Sequence, residues 1–108
     1  GNRKRKVYCL ISDGELDEGS TYEAALFARH HKLNNLFVIC DNNGFQATGK
    51  VKDILDLTTA FQFLEKTLPN FKNIKTIKGK GVDFMEHNNS WHYWNLNLDL
   101  YNKAKCQI

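Results

Sequence analysis

Val7-Tyr8-Cys9-Leu10-Ile11-Ser12-Asp13-Gly14 is the stretch that decides the fold, because an apolar run ends there in a carboxylate and a glycine. A second stretch, Leu36-Phe37-Val38-Ile39-Cys40-Asp41-Asn42-Asn43-Gly44, repeats this pattern. Short apolar runs rich in β-branched and aromatic residues predict buried strands. Residues 21–33, between the two runs, carry apolar side chains at helical spacing and predict a helix. A strand–helix–strand crossover makes the two strands parallel.

Polar residues follow both predicted strands at the point where each strand ends. Because parallel strands bring their carboxyl ends to one edge of a sheet, we expect the carboxylate of Asp13 and the carboxamide of Asn43 to converge there. A glycine beside each allows a ligand to approach the backbone closely. Hard oxygen ligands of this kind suit a Mg²⁺ ion that carries phosphate oxygens.

The rest of the chain extends the α/β pattern. Ser20-Thr21-Tyr22-Glu23 fits a capping box, which predicts that the first helix begins near Thr21. Four further elements are predicted, namely a helical turn at 51–57, a helix at 59–68, a strand at 73–78 and a helix at 95–105. We therefore expect an α/β fold, a parallel sheet with helices on both faces, in a single partial domain spanning residues 1–108.

Charge and composition exclude several classes of protein. The apolar fraction of 42% suffices for a folded core. The net charge is +3, and much of it comes from Arg3-Lys4-Arg5-Lys6, so no global basic field for nucleic acid is indicated. No apolar stretch approaches the length of a membrane span, and no signal peptide is visible. The three cysteines are an odd number without a C-x-x-C spacing, which predicts a reducing compartment, the cytoplasm.

Three stretches together carry a family resemblance. Two surround the glycines described above, Ser12-Asp13-Gly14-Glu15-Leu16-Asp17-Glu18-Gly19 and Asp41-Asn42-Asn43-Gly44-Phe45-Gln46-Ala47-Thr48-Gly49. The third is Lys78-Gly79-Lys80-Gly81-Val82 with Trp91-His92 further along the chain. The first two resemble the thiamine-diphosphate motif of transketolases, and the third resembles another stretch of the same family. The pattern is most similar to split transketolases, in which this part is a separate N-terminal subunit.

The resemblance implies a metal site. Asp13 matches the family's Mg²⁺-binding aspartate, and Asn43 matches its second side-chain ligand. Phe45 occupies the position whose backbone carbonyl ligates the same ion, where any side chain serves.

The resemblance also implies contacts with the coenzyme and with a partner. Gly14 matches the residue whose backbone N–H meets the diphosphate, and His92 matches the active-site histidine that contacts diphosphate and substrate. Glu18 falls where the family has an interface glutamate. The implied reaction is transfer of a two-carbon ketol unit between sugars or sugar phosphates, with thiamine diphosphate and Mg²⁺. The implied partners are the pyrimidine-binding C-terminal half, as a domain or a separate subunit, and a further copy in a homo- or hetero-oligomer.

The chain departs from the family pattern in ways that lead us to expect no activity from it alone. Ser12 replaces a usual glycine, which serine tolerates when φ is negative. Relatives have a strand, a helix and a Gly-His-Asp-like signature between the Leu55-Asp56-Leu57 region and the Lys78 stretch. Here that interval is short and the signature is absent, so we expect a core strand of the family to be missing. Tyr93-Trp94 replaces a small residue and proline. The pyrimidine-binding half, with its activating glutamate, belongs to a separate domain or subunit.

Other interpretations stay open from the sequence. The chain could be a non-catalytic truncated fragment that retains the cofactor motif. The run from Arg3 to Lys6 could contact nucleic acid, although no such partner is expected. His92 lies between Trp91 and Trp94, so aromatic packing is its alternative role.

Overall fold

The computed structural model describes residues 4–108, so Arg3 of the basic run lies outside the described residues. The strands are β1 (Val7–Ser12), β2 (Leu36–Asn42), β3 (Phe45–Gln46), β4 (Gly49–Lys50) and β5 (Phe71–Lys75). The helices are α1 (Gly19–His30), α2 (Val51–Ile54), α3 (Thr58–Thr67) and α4 (Leu98–Lys105). Short 3-10 turns occur at Gly14–Asp17 and Asn89–His92.

The main sheet is parallel and has the strand order β1-β2-β5. Its register pairs Ser12 with Asp41, and Asp41 in turn with Ile74. The carboxyl ends of the three strands therefore lie at one edge, and the predicted parallel pairing of the first two strands is confirmed. β3 and β4 form a separate antiparallel hairpin just beyond the end of β2.

One helix layer covers one face of this sheet. The three strands follow one another across the sheet in chain order, so both crossovers run in the same direction. Right-handed crossovers of this kind place both connecting helices on the same face. α1 and α3 pack there on the inward side chains of the strands. The shared core consists of Ile11, Leu16, Ala25, Ala28, Val38, Cys40, Leu57, Ala60, Leu64, Leu68 and Phe71.

The opposite face of the sheet is exposed within residues 4–108. Leu10 is 72% exposed, Tyr8 63% and Ile74 47%. The chain is 18 Å thick along its shortest principal axis, which fits one sheet and one helix layer. The α/β class and the parallel sheet are confirmed, whereas α1 and α3 cover one face rather than both, because the strand order does not reverse.

Local contacts move the start of α1 away from the predicted capping box. The helix begins at Gly19 after Glu18, and no side chain caps it. Thr21 lies inside the helix, where its Oγ1 donates to the carbonyl of Glu15 at 2.8 Å. The capping-box prediction was therefore wrong, since this hydroxyl fastens the helix to the preceding turn instead.

The predicted second half of the fold is present with shifted boundaries. The third strand, predicted at 73–78, begins at Phe71 and ends at Lys75. The final helix, predicted at 95–105, begins at Leu98, where the side chain of Asn97 accepts a hydrogen bond from the Leu100 N–H at 2.8 Å. No helix in residues 4–108 is both long enough and apolar enough to cross a membrane.

Candidate metal centre

Asp13 is a fully buried carboxylate at the end of β1. Its Oδ2 accepts a hydrogen bond from the backbone N–H of Gly44 at 2.7 Å, and its own backbone N–H donates to the carbonyl of Asp41 at 3.2 Å. Its Oδ1 is buried and has no hydrogen-bond partner within the described part of the chain. The carboxylate thus links the end of β1 to the loop after β2, and its second oxygen is buried without a hydrogen bond in the described residues.

The surroundings of Asp13 disfavour its negative charge. Burial raises the pKa of the Asp13 carboxyl above its ordinary value, and the charge of Asp41 acts in the same direction. The hydrogen bond from the Gly44 N–H and the nearby backbone of Gly14 oppose this rise in pKa. A buried, partly unsatisfied carboxylate is energetically unfavourable by itself, and a bound cation is the partner that offsets this penalty.

The loop after β2 contacts Asp13 through the backbone N–H of Gly44. Gly44 has a φ of +78°, a left-handed conformation that glycine adopts without strain. The side-chain Oδ1 of Asn43 accepts a hydrogen bond from the Phe45 N–H at 2.9 Å. A carboxamide oxygen has two lone pairs, so Asn43 retains an acceptor site. Through the Gly44 contact, the structure brings the loop of Asn43 and Phe45 against Asp13.

The neighbouring residues of β2 are held by β5. The Thr76 hydroxyl donates a short hydrogen bond to Asp41 Oδ1, and the Thr76 N–H donates to the Asn42 carbonyl at 3.1 Å. Asn42 Nδ2 also donates to Asn73 Oδ1 at 3.1 Å. Asp41 is thereby tied to β5, while Asp13 faces the loop that follows β2.

Cys40 precedes Asp41 but is unsuited to nucleophilic chemistry. The side chain is fully buried, and burial raises the pKa of the thiol to about 12, with the nearby carboxylates acting in the same direction. A thiol with this pKa is protonated at neutral pH, and the thiolate is the reactive form.

Gly14 lies beneath the side chain of Gln46 from the hairpin. A Cβ built at Gly14 would lie 3.4 Å from Gln46 Cγ, a tight contact. Gln46 Nε2 is buried without a hydrogen-bond partner in the described residues, and so is Asn89 Oδ1. Asn89 Nδ2 donates to the Ala47 carbonyl at 3.3 Å, which ties the Asn89–His92 turn to the hairpin.

His92 lies in that turn and is exposed. Its Nδ1 is 3.4 Å from the Lys78 ammonium, which can donate to an unprotonated ring nitrogen. Among residues 4–108, His92 makes no hydrogen bond with Asp13 or Asn43. The structure therefore brings Asp13, Gly14, Asn43 and Phe45 to one location, and it connects His92 to them only through the hairpin.

A cavity of about 850 Å³ opens beside the same loop. Its wall includes Gly44 and Phe45, and the ammonium-bearing side chains around it are Lys50, Lys52 and Lys75. The volume lies in the range of small-molecule sites, and the lining combines these three lysines with the carboxylate of Asp56.

The sequence did not predict the contacts of three polar residues in this region. Thr76 was placed inside a predicted strand, although it is the first residue after β5. Lys78 belongs to the recognised Lys-Gly-Lys-Gly stretch, but nothing in the sequence indicates its contact with His92. Gln46 lies in a hairpin whose two-residue strands leave no periodic signal.

Comparison with known proteins identifies relatives of the chain. Residues 3–68 match the family model described as "Transketolase, thiamine diphosphate binding domain". The chain is 38% identical to one subunit of the apulose-4-phosphate transketolase of Actinobacillus succinogenes, over 83% of this chain and 42% of that protein. It is 33% identical to the transketolase of Homo sapiens, over 81% of this chain and 18% of that protein.

A solved structure agrees with these relatives. The crystal structure of transketolase from Campylobacter jejuni superposes with a TM-score of 0.79 at 28% identity, over 95% of this chain and 20% of that one. The chain thus spans less than half the length of each of these relatives. Since the family model matches more than half of its residues, the chain belongs to the transketolase thiamine-diphosphate-binding-domain family.

Proposed function

We propose that this chain supplies the metal- and diphosphate-binding half of a thiamine-diphosphate site in a transketolase-type enzyme. The observation that carries the proposal is the fully buried Asp13 carboxylate, which has one oxygen fixed by Gly44 and the other without a partner in residues 4–108. We also propose that residues 1–108 together form one partial domain.

The residues around Asp13 fit a Mg²⁺ ion. Asp13 Oδ1 supplies a negative oxygen, Asn43 a neutral carboxamide oxygen and Phe45 a backbone carbonyl. Mg²⁺ retains several water molecules and also binds phosphate oxygens, so these three protein ligands are enough. The described residues contain no cluster of three or more His, Cys, Asp or Glu side chains that could hold a metal, so the proposed set combines one carboxylate with neutral oxygens.

The same end of the sheet fits a diphosphate. Gly14 allows close approach of the backbone, and its N–H is the donor that we assign to the diphosphate. The Lys78 ammonium and the ring of His92 lie together at 3.4 Å, where they can bind an anion and hold a proton near it. We therefore assign His92 the role of contacting diphosphate and substrate, and Lys78 the role of adding positive charge.

The chemistry that bound thiamine diphosphate supplies is the transfer of a two-carbon ketol unit between sugars. In this proposal, the residues of this chain bind and orient the coenzyme. The matching apulose-4-phosphate transketolase proteins of Actinobacillus succinogenes and Phocaeicola vulgatus are each named as a single subunit of that enzyme. We propose that this chain likewise acts with a second subunit on a phosphorylated sugar, in the cytoplasm.

The exposed face of the sheet supports the proposal that this chain acts with a second subunit. Tyr8 and Leu10 present large apolar surfaces to solvent, and such patches are typical of protein interfaces. The competing function, a non-catalytic fragment that keeps the motif, makes the same prediction about this face but a different one about ligand binding.

Calorimetric titration separates these two functions. We expect thiamine diphosphate to release heat on binding the chain when Mg²⁺ is present, and to release none in excess EDTA. Thiamine monophosphate is the matched control ligand, because it lacks the second phosphate that bridges to the metal. Equal heats for both ligands, or no heat with thiamine diphosphate and Mg²⁺, would contradict the proposal and support the non-catalytic fragment.

A further inference from the structure

Gln46 is a buried donor that no contact in residues 4–108 explains. Its Nε2 is buried and lacks an acceptor, while its Cγ and Cδ lie 3.4 Å and 3.7 Å from the point where Gly14 would carry a Cβ. A buried amide without an acceptor is destabilising, and native proteins rarely keep one without a role. The carbon atoms of this side chain lie against Gly14, and no acceptor within residues 4–108 meets the donor.

The chemistry of the neighbouring groups indicates which partner would satisfy this donor. Asp13, adjacent to Gly14 in the chain, has an unpaired acceptor oxygen, whereas Gln46 has an unpaired donor. These two groups do not satisfy each other. A ligand that joins a cation to an anionic oxygen satisfies both, because the cation meets the carboxylate and the oxygen meets the amide.

The backbone around Gln46 fixes its side chain in this position. Gln46 pairs with Gly49 across the β3–β4 hairpin, and the Val51 N–H donates to the Gly44 carbonyl at 3.0 Å at the base of the hairpin. Asn89 holds the next residue, Ala47, through its carbonyl. The hairpin is thus anchored at both ends, so the donor is preorganised rather than free to find water.

We propose that Gln46 donates a hydrogen bond from Nε2 to a phosphate oxygen of a metal-bound diphosphate, and so acts as a binding residue for the anion rather than for the metal. This inference rests on the proposed function of the site. It adds a neutral donor that sets affinity for the diphosphate, while Asp13 and Asn43 set affinity for the ion.

Three variants of the 108-residue chain test this assignment. Gln46→Met keeps the length and packing of the side chain but removes the donor, and Gln46→Glu replaces the donor by a negative acceptor. Gln62→Met is the matched control, because Gln62 is exposed on α3. Thiamine diphosphate binding is measured by calorimetry with Mg²⁺, and Mn²⁺ binding without diphosphate is measured by electron paramagnetic resonance.

We expect Gln46→Met to weaken thiamine diphosphate binding about tenfold or more, the size of a lost hydrogen bond to a charged group. Gln46→Glu should weaken it further, because a carboxylate repels the phosphate oxygens. Mn²⁺ affinity should stay within about twofold of the parent for Gln46→Met and for Gln62→Met. Unchanged diphosphate affinity in Gln46→Met overturns the inference, and so does a parallel loss of Mn²⁺ binding, which would mean that Gln46 only supports the metal loop. A parent chain that binds neither Mn²⁺ nor thiamine diphosphate overturns the proposed function as well.

Discussion

Asp13→Asn is expected to reduce Mn²⁺ or Mg²⁺ affinity by about 100-fold or more. Replacing residues that merely support metal ligands already lowers affinity roughly 10–100-fold, and in the proposed site Asp13 would supply the charged oxygen itself. Thiamine diphosphate binding should fall with it, because a metal held by Asp13 would contribute to binding the diphosphate. Calorimetry and electron paramagnetic resonance measure the two affinities on the same samples.

The same substitution should leave the metal-free fold intact. Asparagine keeps an oxygen that can accept from the Gly44 N–H, and it removes a buried negative charge whose second oxygen is unpaired in residues 4–108. We expect the free energy of unfolding in EDTA at pH 7 to stay within about 1 kcal/mol of the parent or to rise. Loss of binding without loss of stability is the signature of a residue kept for function.

Asp99→Asn is the matched control, because it makes the same chemical change at an exposed site in the first turn of α4. It should leave metal affinity unchanged. An Asp13→Asn chain that binds metal like the parent would remove Asp13 from the site. A large loss of stability in EDTA would instead show that the carboxylate is structural.

Gly79→Ala is expected to destabilise the chain by roughly 2–5 kcal/mol, combining left-handed strain with overpacking. Gly79 has a φ of +74°, and a Cβ there would lie 2.5 Å from the carbonyl oxygen of Met85. The obstacle is backbone, and it is fixed because the His87 N–H donates to the Lys78 carbonyl at 3.0 Å. The backbone of the loop must therefore shift to make room for the new methyl group.

Urea unfolding of Gly79→Ala and Gly19→Ala tests this contact. Gly19 begins α1, and a Cβ there meets nothing within 4 Å, so its substitution should change the free energy of unfolding by less than about 0.5 kcal/mol. Equal midpoints for Gly79→Ala and the parent would contradict the close approach of Gly79 to Met85.

The sequence predicted the elements that carry strong local patterns. The apolar runs at 7–11 and 36–40 have the length and composition of buried strands, and the intervening helix has a periodic apolar face. Their parallel pairing followed from the crossover rule, and the convergence of Asp13 with the loop of Asn43 followed from that pairing. The hydrogen bond from the Gly44 N–H to Asp13 Oδ2 realises this convergence.

Features that depend on tertiary contacts could not be predicted from local sequence patterns. The exposed sheet face follows from the order β1-β2-β5, and a strand order cannot be read from local periodicity. From the sequence, Thr21 could either cap α1 or form a hydrogen bond with the preceding turn. The packing of that turn places the Glu15 carbonyl where the Thr21 hydroxyl donates to it. Gln46 and Thr76 act through partners that are distant in the chain. Their roles could therefore be recognised only from the three-dimensional positions of β5 and the hairpin.

The most direct test of the central claim is paramagnetic broadening by Mn²⁺ in the amide NMR spectrum of the chain. A single ion held by Asp13 and the loop after β2 should broaden the amide signals of Gly14, Gly44 and Phe45 first, since the effect falls steeply with distance. The Asp13→Asn variant should lose this selective broadening. Broadening centred instead on the exposed carboxylates of Asp53 or Asp99, or broadening in the parent that survives in Asp13→Asn, would contradict the account.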